Sequence, residues 1–159
     1  MDIIFDVDGT LLNIEHRVPL IRPTNGGHKD WKAFREAAKD DQPNHEIIEI
    51  AGALLNVDHR LVICTGRMEK EREVTTNTLR ACGLPVWGTD KLSLDCFDIR
   101  MYMRRDGDVR PDHVVKLEML LQMREDGYKP MLAFDDRQQV VDMWRAAGIR
   151  CCQVAKGDF

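Results

Sequence analysis

The sequence predicts an α/β protein: a doubly wound parallel sheet with helices on both faces and a small insertion after the first strand. Three observations carry that reading. Short apolar runs alternate with amphipathic stretches along most of the chain, the pattern of strand and helix in a parallel sheet. Gly83, Gly127 and Gly148 each close an amphipathic stretch, where a helix stops most easily on glycine. Three apolar runs end in groups of chemical use: Ile3-Ile4-Phe5 in Asp6-Val7-Asp8, Leu61-Val62-Ile63-Cys64 in Thr65-Gly66-Arg67, and Met131-Leu132-Ala133-Phe134 in Asp135-Asp136. Ligands of parallel sheets bind beyond the carboxyl ends of the strands, so the three endings should converge on one edge.

Strand 2–5 is the apolar run that precedes the two aspartates. Residues 13–42 break the alternation. They hold His16-Arg17, Pro19, Pro23 and Asn25-Gly26-Gly27, then Trp31-Lys32-Ala33-Phe34 in a short helix at 30–39. A loop and helix inserted directly after the first strand should lie over the site as a lid. Helix 45–55 leads into strand 59–64, and helix 70–82 ends at Gly83. Strand 95–103 comes next. Helix 112–125 carries Lys116 one turn from its start and ends ahead of Gly127. Strand 130–134, helix 137–147 and strand 149–154 complete the order, and no repeat or low-complexity segment interrupts it.

A chain of 159 residues suits one domain with a full core. Its net charge of −4 argues against sequence-independent coating of nucleic acid, while leaving room for a local basic pocket. No apolar stretch approaches 18 residues and no signal-peptide layout opens the chain, so no membrane span and a cytoplasmic location are expected. Cys64, Cys82, Cys96, Cys151 and Cys152 have neither zinc-site nor disulfide-framework spacing, and buried reduced thiols are the plain reading. A thiol nucleophile at Cys64 is disfavoured because no histidine is placed to activate it.

Asp6 and Asp8 share a face at the end of a strand. Gly9 lets the backbone turn, and Thr10 offers a hydroxyl and an N–H to an anion. Two neighbouring carboxylates repel unless a cation or a proton separates their roles. That points to Mg2+ with one nucleophile and one acid/base. Phosphoryl transfer needs a nucleophile, metal neutralisation, cationic clamps and an acid for the leaving group, and each has a candidate. Asp6 would attack phosphorus and form an aspartyl-phosphate. Asp8 would protonate the leaving oxygen and then deprotonate water. Asp135 or Asp136, with Asp6 and the carbonyl of Asp8, would hold Mg2+ through hard oxygens. Thr65, neighbouring backbone N–H groups such as that of Gly66, and Lys116 would bind phosphate oxygens. Asp135-Asp136 is also placed to cap the helix that follows.

Taken together, Asp6-Val7-Asp8-Gly9-Thr10 with Leu11-Leu12, Thr65-Gly66-Arg67, Lys116 and Asp135-Asp136 resemble the motifs of the haloacid dehalogenase superfamily of phosphotransferases. Pro111-Asp112-His113-Val114-Val115-Lys116, Phe134-Asp135-Asp136-Arg137, Val140-Val141-Asp142-Met143-Trp144-Arg145 and Gln153 to Phe159 look more closely like the phosphatase domain of the phage polynucleotide kinase/phosphatase family. The resemblance runs from Asp2 to Phe159. It implies a Rossmann-like fold, Mg2+ dependence and removal of 3′-phosphates from DNA or RNA ends or from nucleoside 3′-monophosphates. By matched position it implies Asp6 as nucleophile and Asp8 as acid/base. It also implies Arg17, Arg67 and Arg104 as functional arginines, and Asp112 and Lys116 facing the site one helical turn apart.

Two departures matter. No G-x-x-x-x-G-K-[ST] occurs, so 5′-kinase activity is not expected of this chain. The insertion at 13–42 is longer than in the bifunctional enzymes. It could narrow the substrate to mononucleotides or supply Trp31 to stack on a base. A phosphatase of free nucleotides or other small phosphate esters is therefore the competing reading, while a non-catalytic binding module is argued against by the intact acidic set. Arg17, Arg67, Arg100, Arg104, Arg105 and Arg110 are candidates for a short phosphate track. A separate kinase or ligase partner stays open, as does the oligomeric state.

Overall fold

The computed structural model describes residues 1–22, 27–86 and 99–157. In chain order the elements are β1 (Asp2–Phe5), β2 (Leu12–Asn13), α1 (Trp31–Glu36), β3 (Gln42–Pro43), α2 (His45–Asn56), β4 (Arg60–Met68), α3 (Arg72–Ala81), β5 (Arg100–Arg104), α4 (Asp112–Glu125), β6 (Pro130–Arg137), α5 (Gln138–Ala146) and β7 (Arg150–Gly157). Five strands form a parallel sheet in the order β5-β4-β1-β6-β7. The chain fills one side of β1 first and then crosses to the other, so the order reverses beside β1, where α/β sheets open a ligand crevice.

Both faces of the inner strands β1 and β4 are buried, and the sequence does this by period-two alternation of residues that are all apolar. Ile3, Phe5, Leu61, Ile63, Met101 and Met103 point into one core, closed by residues of α2 and α3 such as Ala51 and Leu79. Ile4, Val62, Cys64 and Tyr102 point into the other, closed by Val115, Leu120 and Met123 of α4 and Val140 and Trp144 of α5. Phe5 and Phe134, level with each other on β1 and β6, stack at 4.5 Å directly beneath the strand ends.

The insertion has its own small core of Ile14, Ile21 and Phe34, with Val18 and Leu20 packed on it. Its base is closed by β2 and β3, which pair Leu12 with Pro43 and Asn13 with Gln42. The Asp30 side chain caps α1 by accepting from the Ala33 N–H at 2.9 Å. Helix 30–39 is expected as one piece. Instead α1 gives way to a 3-10 turn over Ala37–Asp40.

Other bounds differ from the sequence reading. β4 and β6 run on through the polar residues, to Met68 and Arg137, with register irregularities after Thr65 and Asp135. Backbone pairing does not require apolar side chains, and a bulge re-aims them at the strand end. A 3-10 turn, Glu69–Glu71, precedes α3. Of strand 95–103, residues 95–98 lie outside the described residues, as do Cys96, Pro23 and Asn25-Gly26. Among the described residues no helix is long and apolar enough to cross a membrane.

Candidate active site

The ends of β1 and β6 bring three carboxylates together. Asp6 follows β1, its N–H donating to the Phe134 carbonyl at 3.0 Å. Asp135 and Asp136 stand on the last turn of the β6 ladder. Carboxylate oxygens of Asp6, Asp135 and Asp136 all lie within 4.8 Å of one another, and all three residues are buried. Lys116 reaches them from α4, with its Nζ donating to Asp6 Oδ1 at 2.7 Å and to Asp135 Oδ2 at 2.9 Å. The Trp144 indole N–H also donates to Asp135 Oδ2, at 3.1 Å.

One ammonium cannot offset three carboxylates. Burial pulls the Lys116 ammonium towards its neutral form, but Asp135 and Asp6 outweigh it and hold its pKa well above the ordinary value. Burial raises the pKa of Asp6, and the Asp135 and Asp136 charges add to that. Asp136 is pushed up to about 7, by burial first and by the Asp135 charge second. Hard oxygens in excess of the local positive charge are the donor set that Mg2+ prefers.

The Asp136 carboxylate is cradled by two glycines. A Cβ on Gly9 would stand 2.3 Å from Asp136 Oδ2, and a Cβ on Gly157 would stand 2.0 Å from it. Gly9 also has φ +84°, a conformation that other residues resist. Gly157, at the end of β7, is a site residue that strand reasoning missed; its only signal is a glycine opposite Arg137.

Beside this cluster lies a second one. Asp8 Oδ1 accepts from Arg17 Nη2 at 2.7 Å and from Arg67 Nη2 at 2.6 Å and Nε at 2.9 Å. Burial pushes the Asp8 carboxyl up, but the Arg67 and Arg17 charges outweigh it and bring its pKa below the ordinary value. Both arginines are also held by Asp41, which escaped the sequence reading. Arg17 donates to its two oxygens at 2.7 Å, and Arg67 Nη2 donates to Oδ2. Burial raises the Asp41 pKa despite these partners.

The remaining candidates divide. Arg104 lines the cavity and is also tied into the fold, donating to the carbonyls of Gly66 at 3.0 Å and Arg110 at 2.8 Å and to Asp112 Oδ1 at 2.8 Å. Asp112 stands 4.0 Å from Lys116 Nζ, and a Cβ on Gly66 would be 2.4 Å from its Oδ1. Thr10 and Thr65 are fully buried; Thr65 Oγ1 accepts from the Arg67 N–H, and neither side chain reaches the cavity. Arg100 begins β5, far from the strand ends, and pairs with Asp126 at 3.0 Å, so it is no part of a track there. The Cys64 thiol is buried and its pKa is driven well up by burial, which removes it as a nucleophile. Cys152 is exposed and Cys82 and Cys151 are half-buried, against the expectation of buried thiols.

A cavity of about 590 Å³ opens over both clusters, within the range of small-ligand sites. Asp6, Asp8, Lys116 and Asp136 form part of its floor; Ile21, Trp31 and Phe34 of the insertion form a wall.

Among solved structures, the chain is similar to a protein of the Pnkp1/Rnl/Hen1 RNA repair complex, at 26% identity and TM-score 0.72, over 99% of this chain and 43% of that one. A second structure of a Pnkp1/Rnl/Hen1 complex matches at 28% and 0.74, over 99% and 47%. The chain therefore spans less than half the length of these relatives. The fold is also shared with a predicted HAD-like family hydrolase from Porphyromonas gingivalis, at 16% identity and TM-score 0.51, over 99% of this chain and 92% of that one. The family described as the polynucleotide kinase PNKP phosphatase domain matches residues 1–159 from end to end. With its parallel sheet and its acidic cluster at the β1 and β6 ends, the chain belongs to that phosphatase family.

Proposed function

We propose that the chain is a Mg2+-dependent phosphoric monoester hydrolase that removes 3′-phosphates from nucleic-acid ends or nucleoside 3′-monophosphates through an aspartyl-phosphate on Asp6. The observation that carries this is the pairing of two unlike carboxylates at one strand end: Asp6 on Lys116, and Asp8 on Arg17 and Arg67. Environments that push two carboxylates apart assign them different work.

Asp6, Asp135 and Asp136 fit a divalent cation, which would supply positive charge to the phosphate oxygens. The other steps belong to the chain. Lys116 orients the Asp6 carboxylate, and its charge, with that of the cation, would oppose the burial and neighbouring carboxylates that favour the protonated form. Arg17 and Arg67 take phosphate oxygens, and as they turn towards the substrate they release Asp8. The Asp8 carboxyl then gains a proton more readily, gives it to the departing 3′-oxygen, and afterwards takes one from the water that cleaves the acyl phosphate. Asp112, Gly66 and Arg104 hold the strand ends in register, and Asp41 holds the two arginines before substrate arrives.

The RNA repair assembly of the related proteins supports a nucleic-acid end as substrate and a kinase or ligase as partner, in the cytoplasm of a host cell if the protein is phage-encoded. The test is phosphate release with Mg2+ from a 3′-phosphorylated DNA oligonucleotide, a nucleoside 3′-monophosphate and a nucleoside 5′-monophosphate. Preference for the 3′ substrates is expected. The insertion wall over the cavity favours one second reading, a nucleotidase, and preference for the 5′-monophosphate would establish it.

A further inference from the structure

The chemistry above uses the charged floor of the cavity and gives its apolar wall no task. That wall is unusual in what it exposes. Trp31 lines the cavity with 45% of its surface open, although the small core of the insertion lies beside it. The indole meets the Phe34 ring edge-on, with centroids 5.8 Å apart at 81°. Phe34 is itself buried, with the Arg17 guanidinium 4.1 Å from its centroid. Arg17 donates to Asp8. An unbroken run of contacts thus leads from the carboxylate that would protonate the leaving oxygen to a large, flat, solvent-facing ring. Lys29 places its ammonium 5.6 Å from the indole centroid, and Val109, 91% exposed, lines the cavity from the loop before α4.

We infer that Trp31 is the stacking platform for the nucleobase next to the scissile phosphate, which makes the leaving group a nucleoside rather than any small alcohol. The inference rests on the phosphatase reading above and adds to it the residue that recognises the base. A nucleobase presents a π face whatever its identity, so stacking on the indole tolerates all bases. A tryptophan loses little torsional freedom on binding, and Phe34 already fixes its tilt. A sugar or short alcohol has no flat face to offer, so it forfeits this contact. The insertion then selects by the presence of a base and the charged floor selects the phosphate.

Two matched substrate pairs test this. One is an oligonucleotide ending in a 3′-phosphorylated thymidine, against the same strand ending in a 3′-phosphorylated abasic deoxyribose. The other is a nucleoside 5′-monophosphate against ribose 5-phosphate. Which pair is turned over judges the 3′-phosphatase reading; the ratio within that pair judges Trp31. The wild type is expected to favour the base-bearing member about tenfold in kcat/KM, mostly through KM. Trp31→Ala should bring that ratio close to one, and Trp31→Phe should keep most of it. The same ratio in Kd, measured on Asp6→Asn protein, decides the matter even where neither pair is hydrolysed. A wild-type ratio near one, or a ratio that Trp31→Ala leaves intact, would overturn the inference.

Discussion

Asp41 illustrates how much of the site depends on single residues. It accepts from both arginines that hold Asp8, from a position 5% exposed. Replacing it with alanine leaves two buried guanidinium groups sharing the Asp8 carboxylate, with Thr75 Oγ1 as a further acceptor for Arg67. Breaking a buried ion pair from one side costs about 3 kcal/mol or more. Asp41→Ala should therefore lower the unfolding free energy by about that amount in a urea titration, and unchanged stability would show that water replaces the lost partner. Gly157 carries a different constraint. With 2.0 Å between its virtual Cβ and Asp136 Oδ2, Gly157→Ala must displace that carboxylate. Loss of a neighbour that positions a metal ligand typically weakens binding about 10–100-fold, and Mg2+ titration by calorimetry reads it directly.

At the scale of elements, α4 delivers Lys116 into the carboxylate cluster because the rest of its inner face, from Val115 to Met123, is locked in the apolar core. Lys116→Met keeps the packing and removes the charge. The expected result is loss of turnover, with a smaller loss of stability than Asp41→Ala, because Asp6 and Asp136 are already poised to take a proton. A stability loss as large as that of Asp41→Ala would contradict this view of the cluster. The elements also show what was legible in the sequence. β1, β4 and β6 were readable because their apolar runs end abruptly in charged or glycine-containing motifs. α4 was readable because Asp112 and Lys116 are one turn apart. Asp41 was not, since nothing local separates it from Asp40, and its importance arises only when the fold brings Arg17 and Arg67 to it from 24 and 26 residues away. Arg100 misled for the converse reason. Its charge is visible in the sequence, but which end of β5 it occupies is set by the register with Val62.

For the whole molecule, crowded acids at one sheet edge oppose the paired acids elsewhere. Asp136 has its pKa pushed from an ordinary 3.8 to about 7, by burial and by the Asp135 charge. The stability it contributes is present below 3.8 and is lost as pH rises through about 7. Asp2 has the opposite sign. Burial raises its pKa, but hydrogen bonds from Arg60 and from the Lys129 N–H outweigh that and bring it below 3.8, so its contribution is present above that value and fades in acid. Without divalent cations, the melting temperature should peak near pH 4, fall on the alkaline side of that value as pH rises to about 7, and level off above it. Added Mg2+ should remove the alkaline fall, and should itself bind more weakly below pH 7 as protons compete for the carboxylates. A melting temperature that is flat across this range without metal would show that the cluster carries no net strain of charge.

In the proposed mechanism Asp6 takes the phosphoryl group. The most direct measurement is intact-protein and peptide mass spectrometry after rapid acid quench of a reaction with Mg2+ and a 3′-phosphorylated oligonucleotide. A single hydroxylamine-sensitive phosphate is expected on the peptide that contains Asp6, absent from Asp6→Asn protein, which also fails to release phosphate. Turnover by Asp6→Asn, or a labelled residue other than Asp6, would contradict it.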